Sequence, residues 1–155
     1  MRVGHGYDVH RLIAGETLVL CGQTIPHETG LQGHSDADVA VHAAIDALLG
    51  AAALGDIGRL FPDTDPAYRG ADSIRLLAQV GEMLRSRGYQ IGNLDLTIVA
   101  QRPKLSPYLP KMAHAVAEAL KIQTSQVSVK ATTEEGLGFT GLQQGIAAHC
   151  VCLID

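Results

Sequence analysis

The apolar positions of this chain repeat with two periods, and the switches between them mark out the elements. Val39, Ile45 and Ala52 recur at helical spacing and predict a helix over 37–53 with one face turned inward. Ser35 reads as its N-cap, with Asp38 completing a Ser-x-x-Asp capping box, and His42 falls two turns inside. Ile74, Leu77, Ala78, Gly81 and Leu84 mark a second helix over 71–87, stopped by Gly88. Met112, Ala115, Val116, Ala119 and Leu120 mark a third. Alternation predicts strands at 93–98 and 127–131, with a long last strand over 145–154. Residues 2–7 read as a first strand, weakened by glycines, and 18–21 and 23–25 flank Gly22 as a hairpin ended by Pro26. Glycines, prolines and aspartates over 55–66 exclude a regular element, while Ile57, Leu60 and Phe61 make that stretch an ordered loop. Segments 100–107 and 131–141 read as further loops, the second dense in hydroxyls, carboxylates and glycines. The order β, ββ, α, α, β, α, β, β predicts an α+β fold. Its sheet is mixed or antiparallel, of about four to five strands plus a hairpin, with three main helices on one face. No repeat and no internal boundary appears, so 1–155 reads as a single domain.

Composition narrows the function classes. The 155 residues are 46% hydrophobic and 18% charged, enough to bury a proper core. Net charge is −4 with basic residues scattered, and two Phe, four Tyr and no Trp offer little for base stacking, which excludes nucleic acid as a partner. No apolar run reaches membrane length and the N-terminus carries no signal-peptide core, so a cytoplasmic protein is expected. Cys21, Cys150 and Cys152 make no disulfide framework and fit a reducing compartment; Cys150 and Cys152 read as a buried structural pair on one strand face.

Three residues carry the chemistry. Asp8 and His10, at spacing two on an extended chain, point to one side. With His42 from the helix they make a two-imidazole, one-carboxylate set with an open position, which suits catalytic zinc, although non-haem iron uses a similar triad. Asp46, four residues after His42, either holds the imidazole's second nitrogen or is a solvated carboxylate. The helix start at Ser35, with His34 beside it, predicts an anion site for phosphate. Lys104 and Lys130 could add positive charge, and Glu135 could hold a second, harder cation such as magnesium. Zinc, magnesium and phosphate together point to displacement at phosphorus. A metal-dependent phosphohydrolase and a non-catalytic trimeric metal- or nucleotide-sensing protein are the alternatives.

Six fragments, in order from the N-terminus to the last strands, carry a resemblance. They are Asp8-Val9-His10, Gly33-His34-Ser35-Asp36-Ala37-Asp38, His42, Gly55-Asp56-Ile57-Gly58, Phe61-Pro62-Asp63-Thr64-Asp65-Pro66 and Lys130-Ala131-Thr132-Thr133. The chain resembles the 2-C-methyl-D-erythritol 2,4-cyclodiphosphate synthases. The resemblance implies a lyase of the non-mevalonate isoprenoid pathway. Its substrate is 4-diphosphocytidyl-2-C-methyl-D-erythritol 2-phosphate, whose 2-phosphate attacks the β-phosphorus and expels CMP. It implies one zinc per subunit on Asp8, His10 and His42, and magnesium or manganese on Glu135 with the substrate diphosphate. By the same resemblance His34 and Thr133 steady the phosphates in the transition state, and Ser35 binds phosphate. Asp56, Gly58 and Asp63 line the erythritol pocket beside Ile57 and Phe61. Ala100, Lys104, Leu105, Ser106, Ala131 and Thr132 form the cytidine pocket, and Asp65 and Phe139 complete the substrate-binding set. The implied assembly is a homotrimer with sites at the subunit interfaces. Leu142 and Gln144 stand where many members carry Arg and Glu, so an anion site in the cavity on the three-fold axis is not expected.

Overall fold

A computed structural model describes residues 1–62 and 64–155. Strand β1 runs from Arg2–Ala14, the hairpin pair is β2 (Leu18–Leu20) and β3 (Gln23–Ile25), and a short β4 (Thr29–Leu31) follows. Helix α1 (Val39–Ala51) and one-turn α2 (Ile57–Leu60) lead to α3 (Ser73–Ser86) and β5 (Ile91–Val99). Helix α4 (Leu109–Leu120), β6 (Val127–Thr132), one-turn α5 (Gly138–Gly141) and β7 (Gly145–Ile154) complete the chain. The main sheet has order β4-β1-β7-β5-β6; β5 and β6 are parallel and the other pairs antiparallel. The mixed α+β sheet with its separate hairpin agrees with the sequence reading. The one-turn helices α2 and α5 lie in segments read as loops, and β4 in a stretch given no element, because three or four residues are too few for a period to show.

The helices cover one face of the sheet. A Cβ placed on Gly4 would lie 1.8 Å from the Ala47 carbonyl oxygen, and one on Gly6 would lie 2.0 Å from that of Ala43. Backbone therefore packs on backbone, with Ala43, Ala47 and Ala51 recurring every four residues as the small-residue stripe of α1. Helix α1 is buried almost all round rather than along one face, since its far side meets α3 and the hairpin. Cys21, Cys150 and Cys152 are free and buried in this core. Burial pushes the Cys152 thiol up to about 11, which makes it an inert packing group. The opposite face of the sheet is open: Val3, Tyr7, Val9 and Val151 are exposed along β1 and β7.

The start of α1 corrects the sequence reading. The helix begins at Val39, and its N-cap is Asp38 rather than Ser35. The Asp38 carboxylate accepts from Val41 N at 3.2 Å, Cys21 N at 2.9 Å and Gly22 N at 2.7 Å. One buried side chain thus closes the helix and pins the β2–β3 turn to it. Burial pushes its pKa up to about 6, against the pull of these N–H groups. The charge-binding end of α1 is filled by the protein's own carboxylate, and His42 sits one turn in rather than two.

Candidate active site

Asp8 follows Gly4 and Gly6 on the helix-facing side of β1, where α1 has just begun and leaves room for side chains. Asp8 Oδ2 lies 3.0 Å from both His10 Nε2 and His42 Nδ1, and the two nitrogens are 3.2 Å apart. A tetrahedral ion with bonds of about 2.0–2.1 Å separates its ligands by roughly 3.3 Å, so the three donors already stand near metal-binding spacing.

The outer hydrogen bonds fix which nitrogens are free. His10 Nδ1 donates to the Gln32 carbonyl at 2.8 Å, leaving a lone pair on Nε2. His42 Nε2 faces Ser73 Oγ at 2.9 Å and Ser35 Oγ at 3.1 Å. The Ser73 hydroxyl donates to the Asp36 carboxylate, so its oxygen accepts from His42 Nε2–H and Nδ1 keeps the lone pair. Asp36 also accepts from Ser73 N at 3.0 Å and Asp38 N at 3.2 Å. Three acceptors therefore converge on one point, an arrangement that calls for a cation. In the protein alone a proton has to serve. Burial pushes Asp8 up, but the hydrogen bonds and charge of His10 and His42 outweigh it and hold the carboxyl well below its usual range. Burial pulls His10 down, and its hydrogen bond to Asp8 more than reverses that, so its pKa is raised.

Asp46 plays neither expected part: its carboxylate accepts from Ile57 N at 2.7 Å and ties α2 to α1. Helix α2 in turn presents Ile57 and Gly58 to a cavity of about 350 Å³ that the metal-ligand triad shares with His34, Ser35 and Phe61. Asp56 is absent from that lining and caps α2, accepting from Arg59 N at 2.8 Å. Asp65 caps the following 3-10 turn through Ala67 N at 2.9 Å, and Asp63 lies outside the described residues. The sequence reading missed Tyr68 and Leu76 in the lining and the orienting pair Ser73 and Asp36. The Asp72-Ser73 start of α3 hinted at a helix cap but not at a partner for His42.

A second cavity, of about 460 Å³, gathers Ala100, Lys104, Leu105, Ser106, Ala131, Thr132 and Thr133. Glu135 is exposed just beyond it, its N–H on Thr133 Oγ1 at 3.3 Å. Phe139 and Leu142 are exposed on and after α5. Lys130 pairs with Asp95 on the open sheet face, so it adds no free charge to either cavity. Asp8 pairs with Ala148, Ala148 with Ile98 and Ile98 with Ala131. Both cavities thus sit at the same end of the sheet, three strand spacings or about 14 Å apart.

The fold and site define an α+β protein with an Asp-His-His group that could hold a metal ion and a second cavity at the same end of its sheet. The model of the YgbB family matches residues 1–155, and the chain belongs to that family. The 2-C-methyl-D-erythritol 2,4-cyclodiphosphate synthase of Clostridium perfringens is 60% identical over 154 residues, 99% of either chain. A solved CDP-bound form of such a synthase has a TM-score of 0.91 at 38% identity, covering 99% of this chain and 100% of that one. The bifunctional IspDF of Campylobacter jejuni gives 0.95 at 40% identity; 99% of this chain matches 42% of that longer one.

Proposed function

We infer that this chain is a lyase of isoprenoid biosynthesis that forms 2-C-methyl-D-erythritol 2,4-cyclodiphosphate. Its relatives of about this length and identity bear that activity as their name. The observation that carries the reading in this molecule is the meeting of Asp8, His10 and His42 donor atoms in a cavity wall. The substrate is 4-diphosphocytidyl-2-C-methyl-D-erythritol 2-phosphate. An oxygen of its 2-phosphate forms a bond to the β-phosphorus, the bond from that phosphorus to the CMP oxygen breaks, and the ring closes. The substrate brings its own nucleophile, so the protein has to fold a flexible molecule and neutralise charge. Well-oriented intramolecular reactions reach effective molarities on the order of 10⁵ M or more.

Asp8, His10 and His42 would hold zinc, which supplies positive charge to phosphate oxygens and has no redox chemistry of its own. His34 and Ser35 face the same cavity and orient the phosphates there. Ile57, Gly58 and Phe61 pack against the erythritol, with Asp56 at the start of α2 and Asp65 at the turn after it. The second cavity takes the cytidine, with Lys104, Ser106, Thr132 and Thr133 as its polar wall. Glu135 beyond it would hold magnesium, and Phe139 follows on α5. Two cavities about 14 Å apart on one sheet support a site shared between chains. In a cyclic trimer the first cavity of one subunit faces the second cavity of its neighbour. Incubation with the diphosphocytidyl substrate, followed by phosphorus NMR, tests the activity. CMP with a cyclic diphosphate is expected, and an open-chain phosphate product would instead identify a phosphohydrolase.

A further inference from the structure

The turn between β6 and α5 holds a glutamate in a backbone conformation that its residue type disfavours. Glu135 has φ +54° and Gly136 φ +81°. Gly136 has no Cβ to crowd the carbonyl oxygen that follows it, but Glu135 does, and such strain persists only where the surroundings over-determine it. Two side chains do so here. Glu135 N donates to Thr133 Oγ1 at 3.3 Å, and Gly136 N donates to Gln101 Oε1 at 3.1 Å. These N–H groups belong to the planar peptides on either side of the Glu135 Cα, so both planes are tied and the direction of the Cα–Cβ bond is set. The turn is anchored behind as well. The Glu134 carboxylate accepts from the buried Thr140 hydroxyl, and the Glu134 carbonyl accepts from Leu137 N at 2.9 Å. A Cβ placed on Gly141 would lie 2.3 Å from the Gly136 carbonyl carbon, so α5 packs on this turn backbone to backbone.

Gln101 reaches this turn from the loop after β5, 35 residues away in the chain. Ala100 N donates to the Thr132 carbonyl at 3.0 Å, which seats that loop on the end of β6, and Gln101 is half-buried in the wall of the second cavity. We propose that Gln101 is a positioning residue: through the Gly136 N–H it holds the Glu135 backbone in its left-handed form and so fixes the direction of the Glu135 carboxylate. The inference rests on the reading of Glu135 as the ligand of magnesium. Mg²⁺ takes one or two carboxylates together with substrate phosphates and demands near-ideal octahedral geometry, so the aim of a single carboxylate matters to it. Of the two ties on Glu135, the one from Thr133 is local to the turn. The one from Gln101 comes from another part of the fold and joins the lining of the second cavity to the carboxylate beyond it. Displacing that loop displaces the carboxylate.

The experiment uses the zinc-loaded enzyme, with Mg²⁺ titrated into the cyclisation assay and backbone signals followed by NMR. Gln101→Met has a similar reach and no carbonyl oxygen. It should release the Gly136 amide to faster hydrogen exchange and shift the Glu135 Cβ resonance as the backbone leaves its left-handed form. It should also raise the Mg²⁺ concentration for half-maximal rate about tenfold or more, as loss of an outer partner of a metal ligand does. The substrate KM at saturating Mg²⁺ should move much less. Gln101→Glu keeps an acceptor for the Gly136 N–H and should restore the slow exchange. Glu135→Gln raises the Mg²⁺ requirement by itself, and adding Gln101→Met to it should raise it little further, because both changes act through one carboxylate. Unchanged Gly136 exchange and Glu135 Cβ shift in Gln101→Met, or a raised substrate KM with the Mg²⁺ requirement unmoved, overturns the proposal. An Mg²⁺ requirement unmoved by Glu135→Gln overturns instead the reading of Glu135 as a cation ligand; the exchange and the Cβ shift still decide whether Gln101 holds the turn.

Discussion

Replacing Ser73 with Ala removes a group that touches no substrate and yet sets the direction of a metal ligand. Ser73 is fully buried, accepts from His42 Nε2–H at 2.9 Å and passes its own proton to Asp36. Loss of an outer partner of a metal-bound histidine weakens binding by about 10–100-fold, or roughly 1.4–2.7 kcal/mol. Here Ser35 Oγ stands 3.1 Å from the same nitrogen and keeps one acceptor for its proton. Ser73→Ala should therefore fall at the low end, about tenfold, and Ser35→Ala with Ser73→Ala near a hundredfold. Competition against a chromophoric chelator at fixed pH measures the affinity, and ¹⁵N shifts of His42 report the tautomer. In the single variant the proton stays on Nε2; in the double variant the two tautomers mix. Unchanged zinc affinity in the double variant, with the His42 resonances unmoved, would refute the orienting role. Ser73 would then be only a buried residue at the start of α3.

Four further outcomes follow from the same geometry. Zinc must displace the proton that His10 holds, and that pKa is raised above 6.5 by Asp8, so zinc affinity should decline with falling pH from above 6.5, about tenfold per unit, in a pH series of the same competition. In the zinc-free protein the sign is mixed. The lowered Asp8 contributes stability above its unfolded value of 3.8 that is lost as pH falls further; the raised His10 contributes stability below 6.5 that is lost as pH rises through its folded value. Its melting temperature should therefore peak between these pH values, and a steady rise through pH 8 would contradict the assignment. Asp38→Ala leaves the Cys21, Gly22 and Val41 N–H groups without their acceptor. The cost is about 3–5 kcal/mol at neutral pH, seen as a melting temperature roughly 10 °C lower by calorimetry. Co-expression of His42→Ala with Lys104→Ala/Thr133→Ala should restore about a quarter of wild-type activity if sites are shared around a cyclic trimer. Purified mixed oligomers as inactive as either parent would reject shared sites.

Much of this molecule is legible from periodicity. The long elements and the α+β class lie in segments whose apolar spacing is long enough to establish a period, and the hairpin is marked by Gly22 between two short apolar runs. Asp8, His10 and His42 were legible because a spacing of two on a strand and a buried helical histidine constrain direction before any contact is known. The short pieces were not. Residues 57–60 and 138–141 form single turns held by local caps and tertiary contacts, which leave no repeat in the sequence. The capping error has a similar source. Ser35 and Asp38 are both good caps, and Asp38 takes the role because the hairpin turn supplies two more N–H donors to it from residues 21 and 22. Only the tertiary structure could join Ser73 and Asp36 to His42, since they converge from a separate helix and the loop before α1. The same holds for the sheet row running from Asp8 to Ala131. Sequence spacing encodes which way a side chain leaves its own element; the pairing of distant strands decides what it meets there.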